Sequence, residues 1–178
     1  EIRIHTDQTV YPGNYVVTLD FSGKITRNMD GIYPCFYKDA NTEITLIATQ
    51  FESHHAREAF PCIDEPEAKA SFQLTLDHNA KETALSNTDI EKQSTSKKIT
   101  TTKFQVTPIM STYLLAFVVG ELAYKETHNK NGVRIRTYSV PPQVEQTTFA
   151  LDVAAKAMDY YEDYYDIPFP LTKCDFIA

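Results

Sequence analysis

The sequence predicts a mainly β protein: antiparallel sheet over most of its length, then a strand and one α-helix. Three observations predict it. Apolar and polar residues alternate in several short runs separated by turn residues. An Asn-Gly pair lies between two of those runs. Only in the last third does the apolar spacing lengthen from two residues to three and four.

The elements follow in order. Pro12-Gly13 is turn chemistry, and it precedes "NYVVTLDFSGKI". There Tyr15, Val17, Leu19 and Phe21 share one face, and Val16, Thr18 and Asp20 the other, which predicts a half-buried strand. "EITLIATQF" at 43–51 reads as the next strand. "SFQLTLDH" sets Phe72, Leu74 and Leu76 against Ser71, Gln73 and Thr75. "ETALSN", "ITTTKFQVTP" and "TYLLAFVVGEL" continue the series, and the polar "EKQSTSKK" at 91–98 reads as an exposed loop. Asn131-Gly132, between "ELAYKETH" and "VRIRTYSV", predicts a hairpin whose type I′ turn puts both central residues at positive φ. In "TTFALDVAAKAMDYYEDYY", Phe149, Val153, Ala157 and Tyr161 recur every fourth residue, and Ala154 and Met158 widen the stripe. That is an amphipathic helix, ended by the two prolines of "DIPFP".

Composition narrows the function. With 42% hydrophobic and 12% aromatic residues, the 178-residue chain has enough apolar surface for a core. A formal charge of -7 argues against nucleic acid or an anionic membrane surface as partner, and is compatible with a cationic ligand. The longest apolar run, "YLLAFVVG", is far below the roughly 20 residues that span a bilayer. Three cysteines, Cys35, Cys62 and Cys174, form no C-x-x-C pair, so reduced thiols and a cytoplasmic location are expected.

The standard catalytic constellations are absent. The chain holds no H-E-x-x-H, no G-x-S-x-G and no G-x-G-x-x-G. His54 and His55, if on a strand, point to opposite faces and cannot chelate one metal together. What remains is Gln50 and Glu52. Two residues apart on a strand they face one side, roughly 6.6–6.8 Å from each other. A carboxylate at a strand end suits an ammonium ligand, and a neighbouring amide can donate and accept in the same pocket. A solvated polar strand face accounts for the same spacing. Downstream, Arg57 has Asp64, Glu65 and Glu67 in reach, and Pro61 and Pro66 stiffen the loop, a scaffold for the strand end.

These residues carry a family resemblance. "TQFESHHAREAFPCIDEPEAKASFQLTL" resembles a segment of the zinc aminopeptidases of the aminopeptidase N (gluzincin) family. "YPGNYVVTLDFSGKITRNMDGIYPCFY", "TPIMSTYLLAFVVGEL" and "ALDVAAKAMDYYEDYYDIPFPLTKCDFIA" resemble further segments in the same order, so the likeness covers essentially the whole chain. The resemblance implies that residues 1–128 are the family's N-terminal β-domain, a saddle-like antiparallel sheet or sandwich whose first strands precede Glu1. Residues 129–178 would open the thermolysin-like catalytic domain, stopping before the family's G-A-M-E-N and H-E-x-x-H motifs. It implies that Glu52 binds the substrate's free α-amine, that Gln50 lines the first side-chain pocket, and that the backbone at Glu52–Ser53 is strained, a cis peptide bond being one form of that strain. The full-length enzyme would use zinc on peptides with a free N-terminus. This segment would supply no catalytic residue and no metal ligand, and would be inactive without the rest of its chain. The competing expectation is a non-catalytic scaffold or protein-interaction β-domain of the same fold. One departure stands out: His54 and His55 occupy positions where many relatives carry Thr-Asp.

Overall fold

The structure, a computed structural model, describes residues 3–39 and 42–178. In chain order its strands are β1 (Gly31–Asp39), β2 (Thr42–Gln50), β3 (Thr75–Asn79), β4 (Thr83–Ser86), β5 (Ile90–Ser96), β6 (Ile99–Phe104), β7 (Phe117–Gly120), β8 (Ala123–His128), β9 (Arg134–Ser139) and β10 (Lys173–Ile177). One helix, α1 (Thr148–Tyr165), lies between β9 and β10. They form sheets in the orders β1-β2-β7-β4, β3-β6-β5 and β10-β9-β8. Every pairing is antiparallel except β9 with β10, which α1 connects as a crossover. The fold is therefore mainly β with one helix near the end, as the alternating runs predict. Among the described residues β1 is an edge strand, and it carries Pro34, a residue tolerated on an edge because it breaks no ladder bond to β2.

Several elements differ from the expectations. Residues 14–26 form no strand, and Tyr15, Val16, Val17, Leu19 and Phe21 are exposed. Alternation says which side chains share a face, but a strand also needs a neighbouring backbone to pair with. Here a Thr26 N–H to Ile32 O bond links the segment to β1. Conversely, most of "EKQSTSKK" is strand β5, paired to β6 through a two-residue turn with Lys97 at φ 57°. It escapes a hydrophobic reading because all of its residues are exposed. In "TYLLAFVVGEL" only β7 is strand, and Thr112–Leu114 form a 3-10 turn.

The β8–β9 hairpin exists, but its connection runs over residues 129–133. Gly132 alone of the Asn-Gly pair has positive φ, +83°. The residue that shapes the turn is buried Asn129, whose Oδ1 accepts from the N–H groups of Asn131 (3.0 Å) and Val133 (2.9 Å). Its Nδ2 donates to Glu162 of α1 at 2.8 Å. Glu162, also buried, accepts further bonds from Asn131 Nδ2 and the Phe169 N–H.

The helix is present, but of the predicted stripe it buries only the two widening residues, Ala154 and Met158. Leu151, Ala154 and Met158 pack on Val133 and Ile135, while Phe149 is 79% exposed and Val153 and Tyr161 are exposed with it. The sequence holds two apolar stripes, and periodicity cannot say which one meets the sheet. The bare stripe, with Ile167 and Phe176, lines an open apolar cleft of about 770 Å³.

Charge pairs join the last sheet to the others. Asp89, just before β5, pairs with Arg134 and accepts from Thr172 Oγ1 at 2.5 Å. Lys173 Nζ donates to the Ser86 carbonyl at 2.6 Å. Burial opposes ionisation of Asp89, but Thr172 and Arg134 outweigh it and hold the carboxyl below the usual range. Burial pushes the Cys62 and Cys174 thiols up, away from the reactive thiolate.

Candidate functional site

β2 ends at Gln50, opposite Gly31 at the start of β1. The chain then turns, and Glu52 sits in that turn and not on the strand face that its spacing from Gln50 suggests. The alternation nevertheless persists for two residues beyond the ladder. Gln50 and Glu52 are exposed, whereas Phe51 between them is 1% exposed and Thr49 is half-buried. The Glu52–Ser53 peptide bond is cis, in keeping with the resemblance.

Phe51 fixes this corner. It packs with Ala56 and Leu115 in one cluster, and meets Phe60 and Phe117 edge-on at centroid distances of 5.9 and 6.5 Å. Thr49 Oγ1 donates to the Phe117 carbonyl and accepts from its N–H, so the residue before Gln50 is held too. The His55 N–H returns to the Phe51 carbonyl at 3.0 Å and closes the turn. Two exposed polar side chains are thus displayed on a rigid support.

The loop beyond is clamped as its charges predict. Buried Asp64 accepts from the Arg57 N–H and Nε, both at 3.0 Å, and Arg57 Nη2 reaches the Asp64 carbonyl. Glu65 is at 3.9 Å. Ser111 and Thr112 hydroxyls donate to the carbonyls of Pro66 and Ile63. Asp64→Ala removes the buried acceptor of the Arg57 N–H and guanidinium, and hydrogen bonds to a charged group are worth ~1.5–3 kcal/mol. Denaturant unfolding should show a loss in that range. An unchanged midpoint would mean that water replaces the carboxylate without penalty.

The two histidines are not on a strand, so the opposite-face expectation fails. Their rings stack at 4.8 Å in the turn. His54 Nδ1 is 2.7 Å from Ser53 Oγ, and His55 lies between Glu58 and Asp30. No spacing rule brings Asp30 to this place; β1–β2 pairing does. Among the described residues no three His, Cys, Asp or Glu side chains converge as a metal-binding group. Open clefts of about 750 and 770 Å³ are lined by other residues. No helix among the described residues is long and apolar enough to cross a membrane.

Comparison with known proteins gives the corner a context. A family described as "Peptidase M1 N-terminal domain" matches residues 1–114. A protein of Caenorhabditis elegans named puromycin-sensitive aminopeptidase is 43% identical over 180 residues, 99% of this chain and 19% of that protein. Aminopeptidase N of Lactococcus lactis subsp. lactis is 45% identical over 163 residues, 89% of this chain and 19% of its own length. Endoplasmic reticulum aminopeptidase 1 of Mus musculus is 36% identical over 166 residues, 92% of this chain and 18% of its length. The chain spans about a fifth of the relatives it matches.

Proposed function

The chain belongs to the M1 peptidase family, and on that premise we propose that it is the substrate-anchoring part of a zinc-dependent aminopeptidase. The relatives' names supply the activity. The observation that supports the role of this segment is the corner itself: an exposed carboxylate, Glu52, and an exposed amide, Gln50, flank a fully buried Phe51.

Glu52 receives the substrate's α-ammonium, and Gln50 lines the pocket for the first side chain. In water such a pair is weak. Covered by the rest of the full-length protein it is desolvated and strengthens, as charge-assisted bonds do away from solvent. Gripping the ammonium sets how far the peptide reaches, so that only its first bond meets the reacting centre. Zinc, held by residues elsewhere in the full-length protein, would polarise that bond and activate water.

Residues 1–128 are proposed as the N-terminal β-domain, saddle-like in the full-length protein, and 129–178 as the start of a thermolysin-like catalytic domain. The β8–β9 hairpin sits across that junction. The bare apolar face of α1 suits the remainder of the catalytic domain as its cover. Cysteines without a pairing motif favour the cytoplasm as location.

The test is kinetic, on the full-length protein. It should hydrolyse aminoacyl reporters with a free α-amine and spare their N-acetylated forms. Comparable turnover of both would refute the amine-anchor reading. Gln50→Ala should alter the preference between small and large first residues by about tenfold, the scale of a pocket contact, with a smaller effect on the preferred substrate's kcat. Unaltered preference would remove Gln50 from the pocket.

A further inference from the structure

His55 is built into the corner more firmly than a surface histidine. Its side chain is 23% exposed, and both ring nitrogens face carboxylates. Nδ1 lies 2.8 Å from Glu58 Oε1, and Nε2 lies 3.8 Å from Asp30 Oδ1. A neutral imidazole has one N–H and one lone pair, so it would set its lone pair against one of the two acids. Only the imidazolium presents an N–H to each acid, as a hydrogen bond to Glu58 and as a longer charge contact with Asp30.

The acids come from different elements. Glu58 belongs to the 3-10 turn Ala56–Glu58, and Asp30 precedes β1. Next to Asp30 is Gly31, the register partner of Gln50. Gly31 has φ +66°, and a Cβ there would meet Glu58 Cβ at 3.2 Å, so a side chain at this position would be strained by the backbone and crowded by Glu58. The start of β1, the turn carrying Glu52 and the 3-10 turn thus converge on one imidazole ring.

We propose that His55 is a positioning residue for substrate binding: as an imidazolium it ties the turn carrying Glu52 to the Asp30–Gly31 corner opposite Gln50, and deprotonation loosens the tie. The inference rests on the reading of Glu52 as amine anchor.

The charged and titratable groups around the ring are Glu58, Asp30 and Asp64, with His54 stacked on it and Arg57 paired to Asp64. The hydrogen bond to Glu58, opposed by partial burial and helped by the charges of Asp30, Glu58 and Asp64, raises the His55 pKa above 6.5. A raised folded-state pKa gives a stabilisation that is complete below the unfolded value and lost as pH rises through the folded one. The corner is therefore tight in mild acid and looser in mild base.

The experiment uses the full-length protein, its His55→Gln variant and its Glu58→Gln variant, at pH values from about 6 to about 8.5, a range that brackets the titration of a histidine. Hydrogen exchange of amides 51–60, corrected for the intrinsic effect of pH, reads the tie directly. In the wild type, exchange should accelerate with rising pH by about two- to fivefold, the scale of an exposed ion pair. The step should vanish in His55→Gln and move to lower pH in Glu58→Gln. The ratio of variant to wild-type KM on a free-amine reporter cancels the substrate's own titration. For His55→Gln it should exceed one in mild acid, fall towards one in mild base, and leave kcat unchanged. Exchange without a pH step overturns the tie. A step accompanied by a flat KM ratio overturns the positioning role. Either failure is separable from failure of the anchor itself, which the loss of activity in Glu52→Ala reports independently.

Discussion

Glu52→Ala in the full-length protein should lower kcat/KM on free-amine substrates by roughly 10- to 100-fold. In the proposed anchor role, Glu52 meets the ammonium of the substrate. A hydrogen bond to an ionised group is worth ~1.5–3 kcal/mol, and each ~1.4 kcal/mol is tenfold in rate or affinity. Removing the carboxylate also leaves the substrate ammonium under-paired in a desolvated site, which pushes the cost to the upper end. Glu52→Gln preserves shape and loses charge, so it should be impaired too. Stability should hardly change, because the side chain is exposed and exposed substitutions fall within about ±0.5 kcal/mol. Wild-type kcat/KM in Glu52→Ala would show that the exposed carboxylate is solvated surface and nothing more.

Phe51→Ala should have the largest effect on folding. The ring is 1% exposed and joins Ala56, Leu115, Phe60 and Phe117 beneath the corner. Deleting a buried phenylalanine costs ~3–5 kcal/mol in lost transfer energy and residual cavity. In a long multidomain protein this appears as an earlier first unfolding transition or faster proteolysis, since one two-state midpoint is not defined. The two variants separate support from contact. Glu52→Ala reduces activity and spares the fold, whereas Phe51→Ala damages both, because the residue that holds Glu52 in place is the one removed. A first transition that stays where it is in the wild type would mean that the neighbouring rings collapse into the space.

The sequence made the architecture legible wherever local pattern and final packing agree. Phe72, Leu74 and Leu76 alternate in sequence and are half-buried in the structure. It misled where a pattern is necessary but not sufficient. Tyr15, Val17, Leu19 and Phe21 alternate without a ladder, and β5 forms a ladder without alternation. On α1, two stripes compete and only contact with Val133 and Ile135 chooses between them. At the candidate site, the spacing of Gln50 and Glu52 suggests a same-side pair on a strand, but Glu52 lies in the turn after β2, and both side chains are exposed. The family resemblance, not the spacing, supplied the role proposed for them. The partnership of His55 with Asp30 was invisible, because residues 25 apart meet there only through the register of β1 and β2.

Pro34 bears on the fate of the sheet when molecules crowd. On the outer edge of β1, Thr26 already occupies the Ile32 carbonyl, and two residues on, Pro34 offers no amide hydrogen. A second chain trying to add itself as another strand would find one acceptor taken and one donor missing. Edges left complete act as templates for runaway strand addition. A single imino acid interrupts this one, so the edge that β1 presents among the described residues is a poor template for an added strand. Valine at this position would pair no worse with β2, and would restore the row of donors that a stray strand needs.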